Sequence, residues 1–344
     1  MMLYLNTPME TYMLGFYLVV ALTLGVVGNL FVLVAAYSYQ SIDSDGFSIV
    51  LIQNLAAGDV LCTILMVLPS LYNFCHLAQE SSTSPLFDQQ ISLYRGLCLL
   101  TGYAGYVPAE SGTLLILVIT AYKTCRCAAP FSSAAYHLNK AAAKVVALGV
   151  WCSAAVVTVL PMVLTDAQIV YDHHLLRCVY DRSKSSFVRL SMYILATVLP
   201  MILILSLNFV LLKFGFKSTS RSNHRNTKAP ITVLCLSGLF LLSSLPYIVY
   251  TIITALYGIQ SRFETLKAFS GFVYYLNLFG NPFIYTLTNA RFYRHCKDLV
   301  LSKVSGMSSR EIRRTRNFSM NSSSNRSPRL NVRMSEITNP TVTK

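Results

Sequence analysis

Asp59 stands within an apolar run, Phe47–Cys75, that reads as a membrane helix. An ionisable group at that depth costs roughly 2.5–3.5 kcal/mol and is functional by default. Two chemistries suit it. Proton-sharing hydrolysis needs a second carboxyl at the same depth, but the tyrosine-preceded Asp172 and Asp181 fall in a polar loop. Holding a hard cation needs several converging oxygens. Asn277 and Asn281 lie one turn apart on one face of a later apolar run, and Asn29 lies in the first. With Asp59 they form a polar cluster able to hold sodium. The plainer reading is a protonated Asp59 hydrogen-bonded to amides.

Other residues with chemistry are sparse. Ala57-Gly58-Asp59 invites comparison with the Gly-x-Gly-Asp of intramembrane aspartyl proteases, which lacks its second aspartate here. His-Glu-x-x-His and Gly-x-Ser-x-Gly are absent, so no hydrolase is expected. Pro282 follows Asn281 and loosens its helix by removing a backbone hydrogen bond. Glu110 is buried by pattern; it either touches a ligand at a cavity floor or is a neutral acid bonded to a neighbouring helix. Cys98 and Cys178 stand apart from Cys62, Cys152 and Cys235, which read as small apolar fillers within spans. Cys75 reads as free.

The elements that position these residues follow from composition. The 344 residues are 54% hydrophobic and 12% charged, with mean hydropathy +0.51. A soluble domain carries about 25% charged residues. Seven apolar helices are expected: Tyr12–Tyr39, Phe47–Cys75, Arg95–Cys127, Lys140–Val163, Phe187–Lys213, Ala229–Tyr257 and Thr265–Thr288. The fold class is an all-α seven-transmembrane bundle, with a short eighth, amphipathic helix. The expected organisation is an extracellular segment 1–11, a membrane domain 12–288, an amphipathic helix 289–301 and a disordered tail 302–344. The first run is too long and lacks the basic leader of a signal peptide.

With the amino terminus outside, 21 of 28 Lys/Arg fall on the cytosolic side. The net charge of +14 follows from that asymmetry, and no nucleic acid is expected as a partner. The first cytosolic loop is the exception, with Asp43, Asp45 and no base.

Asn281-Pro282-Phe283-Ile284-Tyr285 resembles the Asn-Pro-x-x-Tyr signature of rhodopsin-like (class A) G-protein-coupled receptors. Gly28-Asn29, Asn54-Leu55-Ala56-Ala57-Gly58-Asp59, Trp151, Pro161, Pro200 and Pro246 fall at family-like places. The departures resemble divergent orphan or chemosensory members. The resemblance implies a Cys98–Cys178 disulfide roofing a ligand cavity. It places Tyr106, Glu110, Tyr247 and Tyr275 around that cavity. Gly105 stands where amine receptors carry an aspartate, so no amine is expected. Tyr275 stands at the retinal-lysine place of opsins, and Lys267 is about two turns away, so no retinal is expected. At the sodium site, Gly112 takes the place of the usual hydroxyl. His173, His174, Arg177 and Arg182 read as a solvated loop, or as cations attracting an anionic ligand.

The activation parts depart from the family. Tyr122-Lys123-Thr124 replaces Asp-Arg-Tyr, with Pro130-Phe131 correctly placed downstream. The acid is lost, and lysine lacks the planar fork of arginine. Ser244 replaces the tryptophan of Cys-Trp-x-Pro, while Pro246 keeps the kink. Coupling through Tyr122, Lys123, Thr124, Pro246, Asn281, Pro282 and Tyr285 to a heterotrimeric G protein is the expected function; a receptor-fold decoy is the alternative. A plasma-membrane location, an extracellular non-amine or short-peptide ligand and a cytosolic carboxyl terminus are expected. Cys296 is the palmitoylation candidate, the basic loop after the fifth helix meets anionic lipid or a G protein, and phosphorylation of Ser319, Ser327 and Ser335 would recruit an arrestin-like partner.

Overall fold

The computed structural model describes residues 8–39, 45–79, 87–128, 138–165, 169–172, 175–180, 194–219, 228–257 and 264–306. The chain divides into two units, Met1–Tyr293 and Arg294–Lys344. The first unit holds α1 (Pro8–Tyr39), α2 (Gly46–Cys62), a π-helical turn (Thr63–Val67), α3 (Leu68–Gln79), α4 (Phe87–Ala128) and α5 (Lys140–Thr165). A hairpin of β1 (Ile169–Asp172) and β2 (Arg177–Tyr180) comes next. A second π turn (Ile194–Val198), α6 (Leu199–Thr219), α7 (Lys228–Tyr257) and α8 (Glu264–Thr288) complete it. Helix α9 (Ala290–Ser305) runs across the unit boundary and ends at Gly306, whose φ of 68° is the left-handed cap that glycine adopts without strain.

Six stretches among the described residues are long and apolar enough to cross a membrane: Tyr12–Tyr39, Gly46–Cys75, Thr101–Ala128, Lys140–Leu160, Ile194–Phe214 and Ile231–Thr254. Helix α8 has 25 residues and spans about 37 Å at 1.5 Å each, but Lys267, Asn277 and Asn281 dilute its apolar character. Val163, Leu242, Phe209 and Leu148 point outward from the bundle, as they do when the surrounding solvent is hydrocarbon. Cys152 and Cys235 also face outward, so they do not fill the interior as the sequence suggests; Cys62 does.

Several boundaries differ from the pattern. Helix α4 begins eight residues before Arg95, at Phe87, because Ile91, Leu93 and Tyr94 carry the apolar sequence back past the polar Arg95. Helix α1 begins at Pro8, where proline's fixed φ suits a first helical turn. Helix α9 ends at Ser305, four residues beyond the expected 301. Asp43, Pro130, Phe131, His173, His174, Asp181, Arg182, Ser319, Ser327 and Ser335, which the sequence singles out, lie outside the described residues.

Prolines shape the bundle. Each π turn ends two residues before one, Val67 before Pro69 and Val198 before Pro200. A proline ring clashes with the carbonyl four residues back, and a turn widened by one residue moves that carbonyl away. In α8, Pro282 leaves the carbonyl of Leu278 without its helical donor. Asn29 of α1 supplies one: its Nδ2 donates to Leu278 O at 2.7 Å and to Gly25 O at 2.8 Å. Gly28 lets the two helices meet there, since a Cβ on it would lie 3.2 Å from the Pro282 ring.

This pairing sets an expectation. Asn29→Ala leaves a buried carbonyl bare and costs about 1–2 kcal/mol, read as a lower melting temperature of the purified protein. Pro282→Ala restores the helical donor, so Asn29→Ala costs less in that background. Equal losses in both backgrounds would show that Asn29 acts elsewhere.

Candidate functional site

The hairpin is inserted into one end of the bundle. Its strands pair antiparallel, Asp172 opposite Arg177 and Tyr171 opposite Cys178. Cys178 is bonded to Cys98 of α4, with Cα atoms 5.5 Å apart. Ile169 presses on Gly102, where a Cβ would come within 2.8 Å of it. The turn residues Leu175 and Leu176 are fully buried. Ser70 Oγ donates to Leu175 O at 3.1 Å and Asn73 Nδ2 to Leu176 O at 2.8 Å, and a side chain at Gly271 would strike Leu175. Leu176 holds a φ of 54°, which costs an L-residue about 1–2 kcal/mol and persists because these contacts over-determine it. Asp172 accepts from the Leu175 amide at 3.1 Å and forms an ion pair with Lys267 of α8.

Beneath the hairpin lie the expected cavity residues. Tyr275 is buried, with its hydroxyl 3.1 Å from Ser70 Oγ. Tyr106, Tyr247 and Glu110 are half-buried. Glu110, expected to be buried, lies two residues beyond Pro108 within α4. Arg177, read from the sequence as a solvated loop residue or a cation attracting an anionic ligand, joins them. It is 7% exposed, its Cζ lies 5.7 Å from the Tyr275 ring centre, and its charge interacts with Tyr106, Tyr247, Tyr275 and Cys62. Nothing in the bare loop sequence distinguished it from Arg182.

The mid-bundle cluster forms around Asp59. Asn281 Nδ2 donates to Asp59 Oδ2 at 2.8 Å. Asn277 and Asn29 are buried, and the Oδ1 atoms of Asn29, Asn277 and Asn281 have no hydrogen-bond donor among the described residues. On α4, Ser111 next to Gly112 is buried against Gly58 and donates to Pro108 O at 2.9 Å. Trp151 Nε1 donates to Asn54 Oδ1 at 3.3 Å and ties α5 to α2.

The opposite end carries a charge cluster. Asp45 caps α2, accepting from Ser48 N at 3.4 Å and Ser48 Oγ at 3.1 Å. It also pairs with Lys123, accepts from Tyr122 OH at 2.9 Å and lies 3.3 Å from Arg126 Nη1. Burial raises the Asp45 carboxyl, but Lys123, Tyr122 and Arg126 outweigh it and hold the group below the ordinary carboxylate value. Thr124 Oγ1 donates to Leu207 O at 3.4 Å. A crevice opens beside the cluster, lined by Tyr39, Asp45, Lys123, Val233, Tyr285 and Phe292 among others. Asn208 Nδ2 donates to Ser237 Oγ and Thr288 Oγ1 to Thr232 Oγ1, each at 2.7 Å, fastening α7 to α6 and α8.

Residues 28–285 match the family model for the 7 transmembrane receptor (rhodopsin family). The chain belongs to the rhodopsin family. It is therefore a multi-pass membrane protein of the G-protein-coupled receptor class. The crystal structure of squid rhodopsin is similar in fold, with a TM-score of 0.63 and 16% identity over 85% of this chain and 84% of that one. None of the curated proteins matches the sequence.

In this rhodopsin-family receptor, whose triplet lacks an acid, Lys123 pairs with Asp45 at the start of α2. The signal was present in the sequence as two acids in a loop expected to be basic, next to a triplet that lacked one. Ser244, in the tryptophan's place, is buried with no hydrogen-bond partner for its hydroxyl, and the bulk one turn away is Phe240, 1% exposed. Cys296 on α9 is buried, and burial pushes its thiol up to about 11.

Because Asp45 ionises lower when folded than when unfolded, its stabilising contribution is complete above the unfolded value of about 3.9. It is lost as pH falls through the lower, folded value. The melting temperature difference between wild type and Asp45→Asn is therefore expected to be constant from pH 5 to 8 and to shrink in stronger acid. A double-mutant cycle with Lys123→Met should return a coupling of about 1 kcal/mol. A coupling near zero would show that the pair is only a surface contact.

Proposed function

We propose that the protein is a plasma-membrane receptor whose hairpin end faces outward, takes an extracellular non-amine ligand and drives a heterotrimeric G protein at the Asp45 end. The observation that supports this best is the Asp45–Lys123–Tyr122–Arg126 cluster at the mouth of a crevice bounded by α1, α2, α4, α7 and α8. A transducer entering that crevice meets Lys123 and Tyr285, and the same lysine is held by Asp45 in this conformation. Helix α7 carries Pro246, which leaves the Leu242 carbonyl without its helical donor and makes a hinge. Swinging its lower half requires breaking the Asn208–Ser237 and Thr232–Thr288 bonds. Outer and inner sites are then linked by a coupling free energy.

The basic serine-rich tail supports recruitment of an arrestin-like protein, and the lysines and arginines around 213–228 support contact with anionic lipid. Asp59, Asn281, Asn277 and Asn29 fit a sodium ion, because a carboxylate stands among three amide oxygens that lack donors. When bound, the ion neutralises Asp59 and ties α2 to α8. The competing reading is a decoy that binds without signalling, favoured by Ser244 and by Lys123 in place of arginine.

Basal nucleotide exchange on a heterotrimeric G protein decides between the two. Asp45→Asn frees Lys123 and is expected to raise basal exchange at least about five-fold, as loss of roughly 1 kcal/mol of restraint implies. Exchange absent in wild type, Asp45→Asn and Lys123→Arg alike favours the decoy. For the ion, sodium chloride is expected to raise the melting temperature above that in potassium chloride, and Asp59→Asn to abolish the difference. An equal response to both salts would exclude sodium from the cluster.

A further inference from the structure

The buried charge of Arg177 has no counter-charge among the described residues. Asp172 is its cross-strand partner in the hairpin and would be the natural one. That carboxylate is instead engaged by Lys267 and the Leu175 amide. The guanidinium turns into the bundle, where no described carboxylate pairs with it, and its Nε has no hydrogen-bond partner. Glu110 does not meet it; the two are related only through Tyr274, which interacts with both. Tyr106, Tyr247 and Tyr275 supply hydroxyl dipoles, and Tyr275 a cation-binding ring face, but none is a carboxylate.

Leaving a cation buried and unpaired is expensive. A residue that contributed only to the fold would be replaced at a gain in stability by an apolar side chain. Its backbone is fixed on both sides, by the neighbouring Cys178–Cys98 bond and by the buried Leu176. The guanidinium is thus carried by a fixed backbone, and its planar donor fork suits a carboxylate.

We infer that the hairpin end of this receptor takes a small organic carboxylate, its anionic group bound by Arg177 and its apolar body held against Tyr106, Tyr247 and Tyr275. The ligand supplies the charge that no described carboxylate provides. The inference deepens the receptor reading and rests on it for the ligand's role. Binding itself is read without a G protein, so a silent receptor that binds carboxylates would sink the signalling proposal and leave this one standing.

The test is thermal melting of the purified full chain in an anion-poor buffer, with benzoate, phenylacetate and octanoate, their uncharged amides, and potassium chloride as probes at millimolar concentration. Wild type is expected to gain roughly 2–4 °C with at least one carboxylate and nothing with its amide. Arg177→Gln is expected to melt above wild type without added anion and to ignore every probe. Arg177→Lys keeps the charge but loses the fork, so its half-point shifts roughly ten-fold to higher concentration; it also carries the test if Arg177→Gln does not fold. The proposal is overturned if no carboxylate stabilises wild type, if chloride or the amides act as well as the carboxylates, or if the response survives in Arg177→Gln.

Discussion

A backbone carbonyl in hydrocarbon has no water to turn to, and the bundle depends on how it answers that requirement where prolines break its helices. Pro282 strips the donor from Leu278 O, and Asn29 restores it from another helix. The repair joins α1 to α8 and places Pro282 against Gly28. It also leaves Asn281, next to the proline, turned toward Asp59. A structural defect thereby becomes the link between three helices, and the polar cluster is built on it. The two π turns apply the same rule differently: there the helix widens before Pro69 and Pro200 and avoids the clash.

Charge is distributed by a related logic. Two described carboxylates near the ends each have a cation, Asp45 with Lys123 and Arg126, and Asp172 with Lys267. Both ion pairs join elements that a conformational change would separate. Asp45 connects the start of α2 to the end of α4, and Asp172 connects the hairpin to α8. Arg177 stands outside this pattern, which is why its position points toward a ligand and away from scaffolding.

Most of the architecture was legible in the sequence because apolar runs of membrane length leave few alternatives, and because Asn29, Asp59, Asn281 and Pro282 carry their chemistry in their residue type. The disulfide followed from the resemblance. What was hidden depended on side-chain direction. The absence of an acid before Lys123 was plain, yet the acid that pairs with it, Asp45, lies 78 residues away in sequence and faces Lys123 only once α2 and α4 pack together. Arg177 and Arg182 are equivalent as letters; the register opposite Asp172 and the fixed neighbour Cys178 make the first an interior residue.

The widened turns at Thr63–Val67 and Ile194–Val198 bear on how this chain is compared with its relatives. A π turn contains one residue more than the α-helical turn it replaces, and it absorbs that residue without displacing either end of the helix. Those two places are where members of the family can differ in length inside a span at little cost. An alignment that forbids gaps within helices would therefore shift every position between the π turn and the hairpin end by one. Ser70 and Asn73, which hold the hairpin turn, would then be equated with residues pointing about 100° away.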